Sequence, residues 1–584
     1  MDDLIVGAPY AGLSGKSNIG KSYVIFGKTD NTTINLSAIG TGGFVINGES
    51  ANNRSGRSVS TAGDVNGDGL DDLIVGAHKA DTSGKVAPGR SYVVFGKTDN
   101  TAIDLSAIAS GTGGFVINGE SAGDWSGISV STAGDVNGDG LDDLIVGAHE
   151  TKLSGKEKAG KSYVVFGKKD STAIDLSAIA SGTGGFVING ENAGDWSGIS
   201  VSTAGDVNGD GLDDLIIGAF GADSSDKSTA GKSYVVFGKT DNTAIDLSTI
   251  ASGTGGFVIN GEHMDDKSGI SVSSAGDVNG DGLDDLIVGA RYADLDKTEE
   301  GKSYVVFGKT DSTAIDLSAI ASGTGGFVIN GENASDWSGN SVSSAGDVNG
   351  DGLDDLIVGA PMFNLNGENI VGKSYVIFGK TDTSAIDLTK LSGNSKYAIN
   401  HLGNEDANTL TGTSGDEIFV AGVGNDTLIG NGGMDVLNAG AGDDTITINA
   451  SNIAALAQTG TGNRARVDGG GNIDTLKLDG SNLSLDLTNI SNTRIQDIEK
   501  IDITGSGNNA LILNLNDLLD TSTSTNILKV LGNSNDAVNA SGFAKISSTE
   551  TEDNITYDVY THNSANTDAK AALWIQQDID VTVL

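Results

Sequence analysis

Five times the chain writes Asp-Val-Asn-Gly-Asp-Gly-Leu-Asp-Asp, starting at Asp64, Asp135, Asp206, Asp277 and Asp347, at intervals of 71, 71, 71 and 70 residues. Each copy runs straight into a β-branched apolar segment, Leu73-Ile-Val-Gly-Ala77 in the first. Oxygen-bearing side chains occupy positions 1, 3, 5 and 9 of the unit, glycine position 6, and position 7 is a leucine that can offer its carbonyl. Oxygens converging on a tight glycine turn are what a hard cation needs. A single match would be compatible with an ordinary turn, because Asp, Asn and Gly populate turns for their own reasons. Five in register point to calcium loops. They are not EF-hands: position 12 is Val75, Val146, Ile217, Val288 and Val358 instead of glutamate, inside a run of strand type. The loop therefore joins two strands.

A chain of 584 residues with net charge −43 opposes its own compaction and repels nucleic acid and anionic membranes unless it binds cations. Its 87 glycines are about twice the usual ~7% share, and they accompany a clear period, so they mark turns in a repeat array. There is no cysteine and hence no disulfide framework. No run of 18 apolar residues predicts a transmembrane helix, and Met1–Pro9 lacks the basic start of a signal peptide.

Residues 1–401 read as one unit repeated six times, near 1–49, 55–120, 126–191, 197–262, 268–332 and 338–401, the first copy entering midway. A full copy predicts four strands: Ser58–Val65 leading into the loop, Asp72–Ala77, Ser91–Gly96, and Phe115–Glu120 after a long connection through Thr101–Ile108. Four short strands with glycine turns suit a β-propeller blade. A β-solenoid is the rival, although its repeats are usually shorter.

Ser-Gly-Ile-Ser-Val before the loop, the loop itself, and Gly-Ala-Pro after it (Gly7–Pro9 and Gly359–Pro361) resemble the FG-GAP repeats of integrin α-subunit propellers. The resemblance implies a seven-bladed propeller with calcium loops on the lower face and ligand contacts on the upper one. Carried over by position, the ligands are Asp64, Asn66, Asp68, the Leu70 carbonyl and Asp72; then Asp135, Asn137, Asp139, Leu141 and Asp143; then Asp206, Asn208, Asp210, Leu212 and Asp214. The last two loops offer Asp277, Asn279, Asp281, Leu283 and Asp285, and Asp347, Asn349, Asp351, Leu353 and Asp355. The chain departs from the family where the GAP proline becomes His78, His149, Phe220 and Arg291. Only six copies are present, and the first lacks an inner strand and a loop. The expectation is an open arc from an N-terminally truncated protein; a closed six-bladed ring is the alternative.

The copies differ most in the loop that begins at His78, His149, Phe220, Arg291 and Pro361, at the strand ends opposite the calcium loops. A second loop on that face places Arg54, Trp125, Trp196, Lys267 and Trp337 at matching positions. Two readings stand: a face for a protein or glycan ligand, or unconstrained drift with Trp packed between blades.

Residues 403–447 divide into five nonapeptides with Leu410, Phe419, Leu428, Leu437 and Ile446 at position 8, and Asn408, Glu417, Asp426, Asp435 and Asp444 at position 6. This resembles the RTX calcium repeat, a parallel β-roll in which position 8 fills the core and the position-6 carboxylates Asp426, Asp435 and Asp444 meet calcium. A detached frame, Gly469 to Leu476, resembles a further turn. Residues 448–584 read as a β-rich C-terminal domain, with alternating segments such as Leu483–Leu487 and Leu511–Leu515. In chains that resemble RTX proteins, such a tail carries a type I secretion signal, which suggests a bacterial, extracellular protein.

Nothing in the sequence suggests catalysis. No G-x-S-x-G or H-E-x-x-H motif occurs, and the Asp71/Asp72 type of pair recurs in every complete blade, as architecture would. The all-β chain is expected to be a secreted, Ca2+-binding adhesin or interaction protein without enzymatic activity. A surface-layer component, or the non-catalytic part of a larger secreted hydrolase, are the alternatives.

Overall fold

The computed structural model describes residues 3–583, apart from 14, 29–32, 83, 225–226, 295–298, 365–369, 392–397, 523–524 and 563–570. Six antiparallel blades follow one another. Blade 2 is typical: Val59–Gly63, Asp72–Ala77, Arg90–Val94 and Gly114–Asn118 pair in that order, and the calcium loop joins the first two. Blades 3, 4 and 5 repeat this. Blade 1 contributes Leu4–Ala8, Lys21–Ile25 and Gly43–Asn47, and blade 6 contributes Ser341–Gly346, Asp355–Ala360 and Lys373–Ile377. The strand expected for blade 6 at Lys396–Asn400 falls partly outside the described residues.

The second strand of the inner blades reads as unbroken apolar sequence because both its faces are buried. Val75 packs with Val24, Phe44 and Ile46 of blade 1, while Ile74 packs with Leu144, Val146 and Tyr163 of blade 3. The connection in each repeat also carries structure that the sequence left as a loop. Ile103–Asp104 of blade 2 pairs in parallel with the outer strand of blade 1, and the helix Leu105–Ala109 then buries Leu105 and Ile108. The same exchange recurs down the array at Ile174, Ile245, Ile315 and Ile386, so each blade is laced to the next.

Positions enclosed elsewhere lie open at the two ends of the array. Leu4 and Val6 are 65% and 39% exposed in blade 1, and Ile357 and Val376 are 38% and 48% exposed in blade 6. Their counterparts Leu144, Val146, Ile287 and Val305 are all 0% exposed. The first and last blades thus present uncovered faces.

Beyond the blades, the nonapeptides wind into two stacked rows. Thr409–Thr411, Thr427–Ile429, Thr445–Ile448 and Thr475–Leu478 stack in parallel in one sheet, and Ile418–Val423, Val436–Ala441 and Arg466–Asp468 stack in another. Two nonapeptides make one coil, so Leu410, Leu428 and Ile446, eighteen residues apart, lie in register. The detached frame does form the next turn, after the helix Ala450–Leu456 is inserted. The division at 447/448 falls inside one sheet and one core. The parallel stack continues through Lys500–Asp502, Ile527–Leu531 and Ala572–Gln576, because Ile501, Val530 and Ile575 keep filling the interior row. The stack from Thr409 to Gln576 is therefore one solenoid, with the antiparallel hairpin Phe543–Glu552 and Ile555–His562 set against the strand Ala572–Gln576, and it rests on the Asp-rich loop face of the blades.

Candidate metal centres

Loops are named here after their blades, 2 to 6. In loop 2, Asp64 Oδ1 accepts from the backbone N–H of Gly67 and Asp68 at 2.7 and 3.0 Å, and Oδ2 from Gly69 at 2.8 Å. The turn closes because Gly67 and Gly69 take φ of +72° and +86°, a region that side chains disfavour. Asn66 Nδ2 donates to both oxygens of Asp72, at 3.2 and 3.1 Å, and Gly96 N–H holds Asp72 Oδ1 from the neighbouring strand. The other four loops repeat these bonds, as at Asp135–Gly140 and Asn208–Asp214. In every loop the structure folds the position-1 carboxylate onto the loop backbone and joins positions 3 and 9, while the position-5 carboxylate accepts from the N–H of position 7, as Asp68 Oδ1 does from Leu70 at 3.1 Å.

These loops gather negative charge, and no cation acts on the ninth-position carboxylates, although Arg494 lies 3.8 Å from Asp277 in loop 5 and Arg466 3.2 Å from Asp354 in loop 6. Burial, then the neighbouring carboxylates, pushes Asp72 up to about 8, Asp214 to about 9 and Asp355 to about 7; Asp143 and Asp285 are also driven well upward by burial. Asn66 and its equivalents turn their amide nitrogen to the ninth-position Asp, which leaves Oδ1 inward. In loops 5 and 6 the Oδ1 atoms of Asn279 and Asn349 are buried without a hydrogen-bond partner. An oxygen-seeking cation fits that arrangement: it would neutralise the carboxylates and satisfy the orphaned amide oxygen.

The solenoid has its own ladder. Asp426 Oδ1 accepts from Asn408 N–H, Asp444 Oδ1 from Asp426 N–H, and Asp474 Oδ1 from Asp444 N–H, at 2.6, 2.6 and 2.7 Å. Asp426, Asp444 and Asp474 are almost wholly buried, and the Oδ2 of each has no partner. Asp435 is different. It lies on the other row, and its Oδ2 accepts from Asn452 Nδ2 at 2.8 Å, so the inserted helix already satisfies it. The sequence reading placed the three nonapeptide carboxylates alike; the structure separates Asp435 from Asp426 and Asp444 and adds Asp474 to their row.

Sequence reasoning also missed the eighth position of the loop. Asp142 Oδ2 accepts the Asp64 N–H of the preceding loop at 2.8 Å, and Asp213, Asp284 and Asp354 do the same for Asp135, Asp206 and Asp277. The paired carboxylates thus divide their work, the ninth closing its own loop and the eighth tying it to the loop before. Only the recurrence of Asp-Asp could have signalled this.

On the opposite face, the expected loops meet. Trp125 stands between His78 and His149, with centroids 5.9 Å from each; Trp196 stacks on Phe220 at 5.0 Å; Trp337 meets Tyr292 edge-on at 5.4 Å. Arg54, Trp125, Trp196, Lys267 and Trp337 all take positive φ, between 51° and 56°. The three indoles are half-buried and join loops of adjacent repeats, as the packing reading expected. Beneath them a polar ladder crosses each blade boundary. Glu120 Oε2 accepts from Lys161 Nζ at 2.6 Å and Tyr163 Oη at 2.5 Å, and Glu191 from Lys232 and Tyr234 at 3.0 and 2.6 Å.

Comparison with known proteins agrees with this geometry. Residues 55–94, 126–165, 197–236, 268–306 and 338–377 match the FG-GAP repeat, and 403–446 match the RTX calcium-binding nonapeptide repeat. The chain is 32% identical over 244 residues to integrin alpha pat-2 of Caenorhabditis elegans, covering 41% of this chain and 18% of that protein. It is 30% identical over 229 residues to integrin alpha-5 of Xenopus laevis, 38% of this chain and 19% of that one. A longer match, 27% over 413 residues, is to phosphatidylinositol-glycan-specific phospholipase D of Bos taurus, 65% of this chain and 44% of the enzyme. The chain spans less than half the length of these relatives. It is an all-β protein of FG-GAP repeats, built as a six-bladed propeller and followed by an RTX repeat. No helix among the described residues is long and apolar enough to cross a membrane.

Proposed function

We propose that this chain is a calcium-stabilised adhesin or interaction protein that works outside the cell. The observation that carries the reading is the set of five loops, each with buried carboxylates that no protein cation balances at the ninth position. Ca2+ would be held by Asp, Asn, Asp and Asp side chains and the leucine carbonyl in each loop, and by Asp426 and Asp444 in the solenoid. With its loops filled, the propeller becomes a rigid platform. The variable loops around His78, His149, Phe220, Arg291 and Pro361 then offer aromatic and cationic groups to a protein or glycan. RTX repeats are typical of secreted proteins, which favours export, by a type I route in a bacterium, with the solenoid as the exported end. Catalysis is not part of this reading.

Titration calorimetry of the full chain with calcium, followed by protein and glycan arrays with and without chelator, tests it. Calcium binding at several sites and a calcium-dependent ligand are expected; a chain that binds no calcium sinks the proposal. The match to the bovine phospholipase D favours a second reading, a non-catalytic part of a larger hydrolase. Hydrolysis by a longer gene product, but not by this chain, would support it.

A further inference from the structure

The solenoid covers loops 5 and 6. On loop 6, Arg464 Nη1 donates to Asp351 O at 2.9 Å and Arg466 Nη1 to Asp354 Oδ1 at 3.2 Å, whereas loop 5 alone among the described loops has its backbone carbonyls held in a row. The solenoid turn at 460–463 lies along it: Gly462 N–H donates to Asn279 O at 3.0 Å, Asn463 N–H to Gly280 O at 3.0 Å, and Gly460 N–H to Asp281 O at 3.4 Å. Ser491 Oγ donates to Gly282 O at 2.6 Å. Four consecutive outward carbonyls of the loop are thus held by the solenoid. Arg494, with a side chain only 4% exposed, is anchored to Asn463 O and Ala465 O and sets Nη2 3.8 Å from Asp277 Oδ2. The inward side of the same loop carries the oxygens: Asp277, Asp285 and the partnerless Oδ1 of Asn279, with Asn279 and Asp285 0% exposed. In loop 4, by contrast, Gly209 and Asp210 are exposed and the solenoid donates from Asn516 to Gly211 O; in loop 2 Asp68 is exposed.

We infer that loop 5 is an interdomain cation site, seated by the propeller and closed by the solenoid, whose ion exchanges with solvent only when the two parts separate. The inference rests on the calcium reading above. An ion leaves such a loop by opening the turn, and this turn is fixed from both sides. Its N–H groups are held inward by Asp277, and its carbonyls outward by 460–463 and Ser491. Arg494 adds a fixed positive charge on the solenoid side, which any departing cation must pass. Without an ion, Asp277, Asp281 and Asp285 repel one another and the carbonyl row loses the shape the solenoid reads. Binding of the ion and docking of the solenoid therefore favour each other, and by linkage each strengthens the other equally.

The full-length, calcium-loaded chain is mixed rapidly with excess fluorescent chelator, and the released calcium is counted by phase. The ion of loop 5 should leave at least about tenfold more slowly than those of loops 2 to 4, within the usual span of site coupling. Asp281→Ala should take one ion out of the slow release. Ser491→Ala, and separately Arg494→Lys, should move that one ion to the fast release while leaving the total bound unchanged; Asn516→Ala at loop 4 should leave the slow release as it is. Full binding with release at a single rate overturns the inference and leaves the calcium reading standing. So does a slow release undiminished by Asp281→Ala, or one indifferent to both Ser491→Ala and Arg494→Lys. A chain that binds no calcium sinks both.

Discussion

The backbone N–H of Asp135 donates to Asp213 Oδ2 at 2.8 Å, across the boundary between blades 3 and 4. Asp135 opens one calcium loop and Asp213 sits at the eighth position of the next, so the loops form a chain in which each holds the first residue of its predecessor. Burial, with the nearby loop carboxylates, pushes Asp213 up to about 7. The bond ties loop to loop, and Asp213 is not among the expected ligands.

Asp213→Ala should therefore separate stability from metal. It leaves a buried N–H unpaired, a loss of about 1–3 kcal/mol, yet it removes no expected ligand. Urea unfolding should show the loss, and calorimetry an unchanged calcium count. Asp210→Ala, at the fifth position of the same loop, should lose about one calcium. If the two variants lose the same number of ions, the division of roles between positions is wrong.

Chelated protein should lose stability as pH rises. Folded Asp72, Asp214 and Asp355 hold their protons up to about 8, 9 and 7, whereas the unfolded chain releases them near 3.8. Between these limits the folded state carries more protons, so its stability falls as pH climbs from about 3.8 towards the folded values and levels off above them. His78 and His149, depressed to about 3 and 4 by burial, act in the opposite sense, but only below their ordinary 6.5. Thermal unfolding from pH 6.5 to 9 in chelator should show the fall, and calcium, which replaces the protons, should abolish it. A chelated chain as stable at pH 9 as at 6.5 would contradict the account.

Glu191 binds blade 3 to blade 4 through Lys232 and Tyr234. Glu191→Ala leaves the phenol, on a wholly buried Tyr234, and the ammonium without their shared acceptor, for a cost of about 1–3 kcal/mol. Tyr234→Phe keeps the Lys232 pair and should cost about 1 kcal/mol. Chemical denaturation of both variants checks the order; a larger loss for Tyr234→Phe would reverse the assignment.

Asp444→Ala should affect two turns of the solenoid at once. Its Oδ1 accepts from Asp426 N–H, its own N–H donates to Asp474, and its free Oδ2 lies in the same row as theirs. A fragment beginning at Gly403 should gain β circular dichroism when calcium, but not magnesium, is added, since magnesium demands stricter octahedral geometry. Asp444→Ala should blunt that gain and Asp435→Asn should not, because Asn452 already satisfies Asp435. A fragment fully folded in chelator would rule out calcium-driven folding.

Much of this protein is local and therefore legible in the chain. The loop residues lie within nine positions of one another, so spacing alone joined Asn66 to Asp72 and folded Asp64 onto its own turn. Likewise, a period of nine with an apolar residue at position 8 was enough to send Leu410, Phe419, Leu428, Leu437 and Ile446 inward, while their division into two alternating rows came from the tertiary structure. What the tertiary structure decided lies between residues far apart in sequence. Asp213 reaches Asp135 across 78 positions, Ile103 pairs with the strand of another blade, and Ser491 meets Gly282 across 209. No pattern in Ser491 or Arg494 announces a partner, because a polar side chain looks the same in sequence whether it faces water or a carbonyl. Five loops of one sequence are alike as ligand sets; only the packing of the solenoid makes loop 5 a closed one. The reason is that a repeat fixes the geometry inside each unit, while burial depends on which surface the rest of the chain comes to cover.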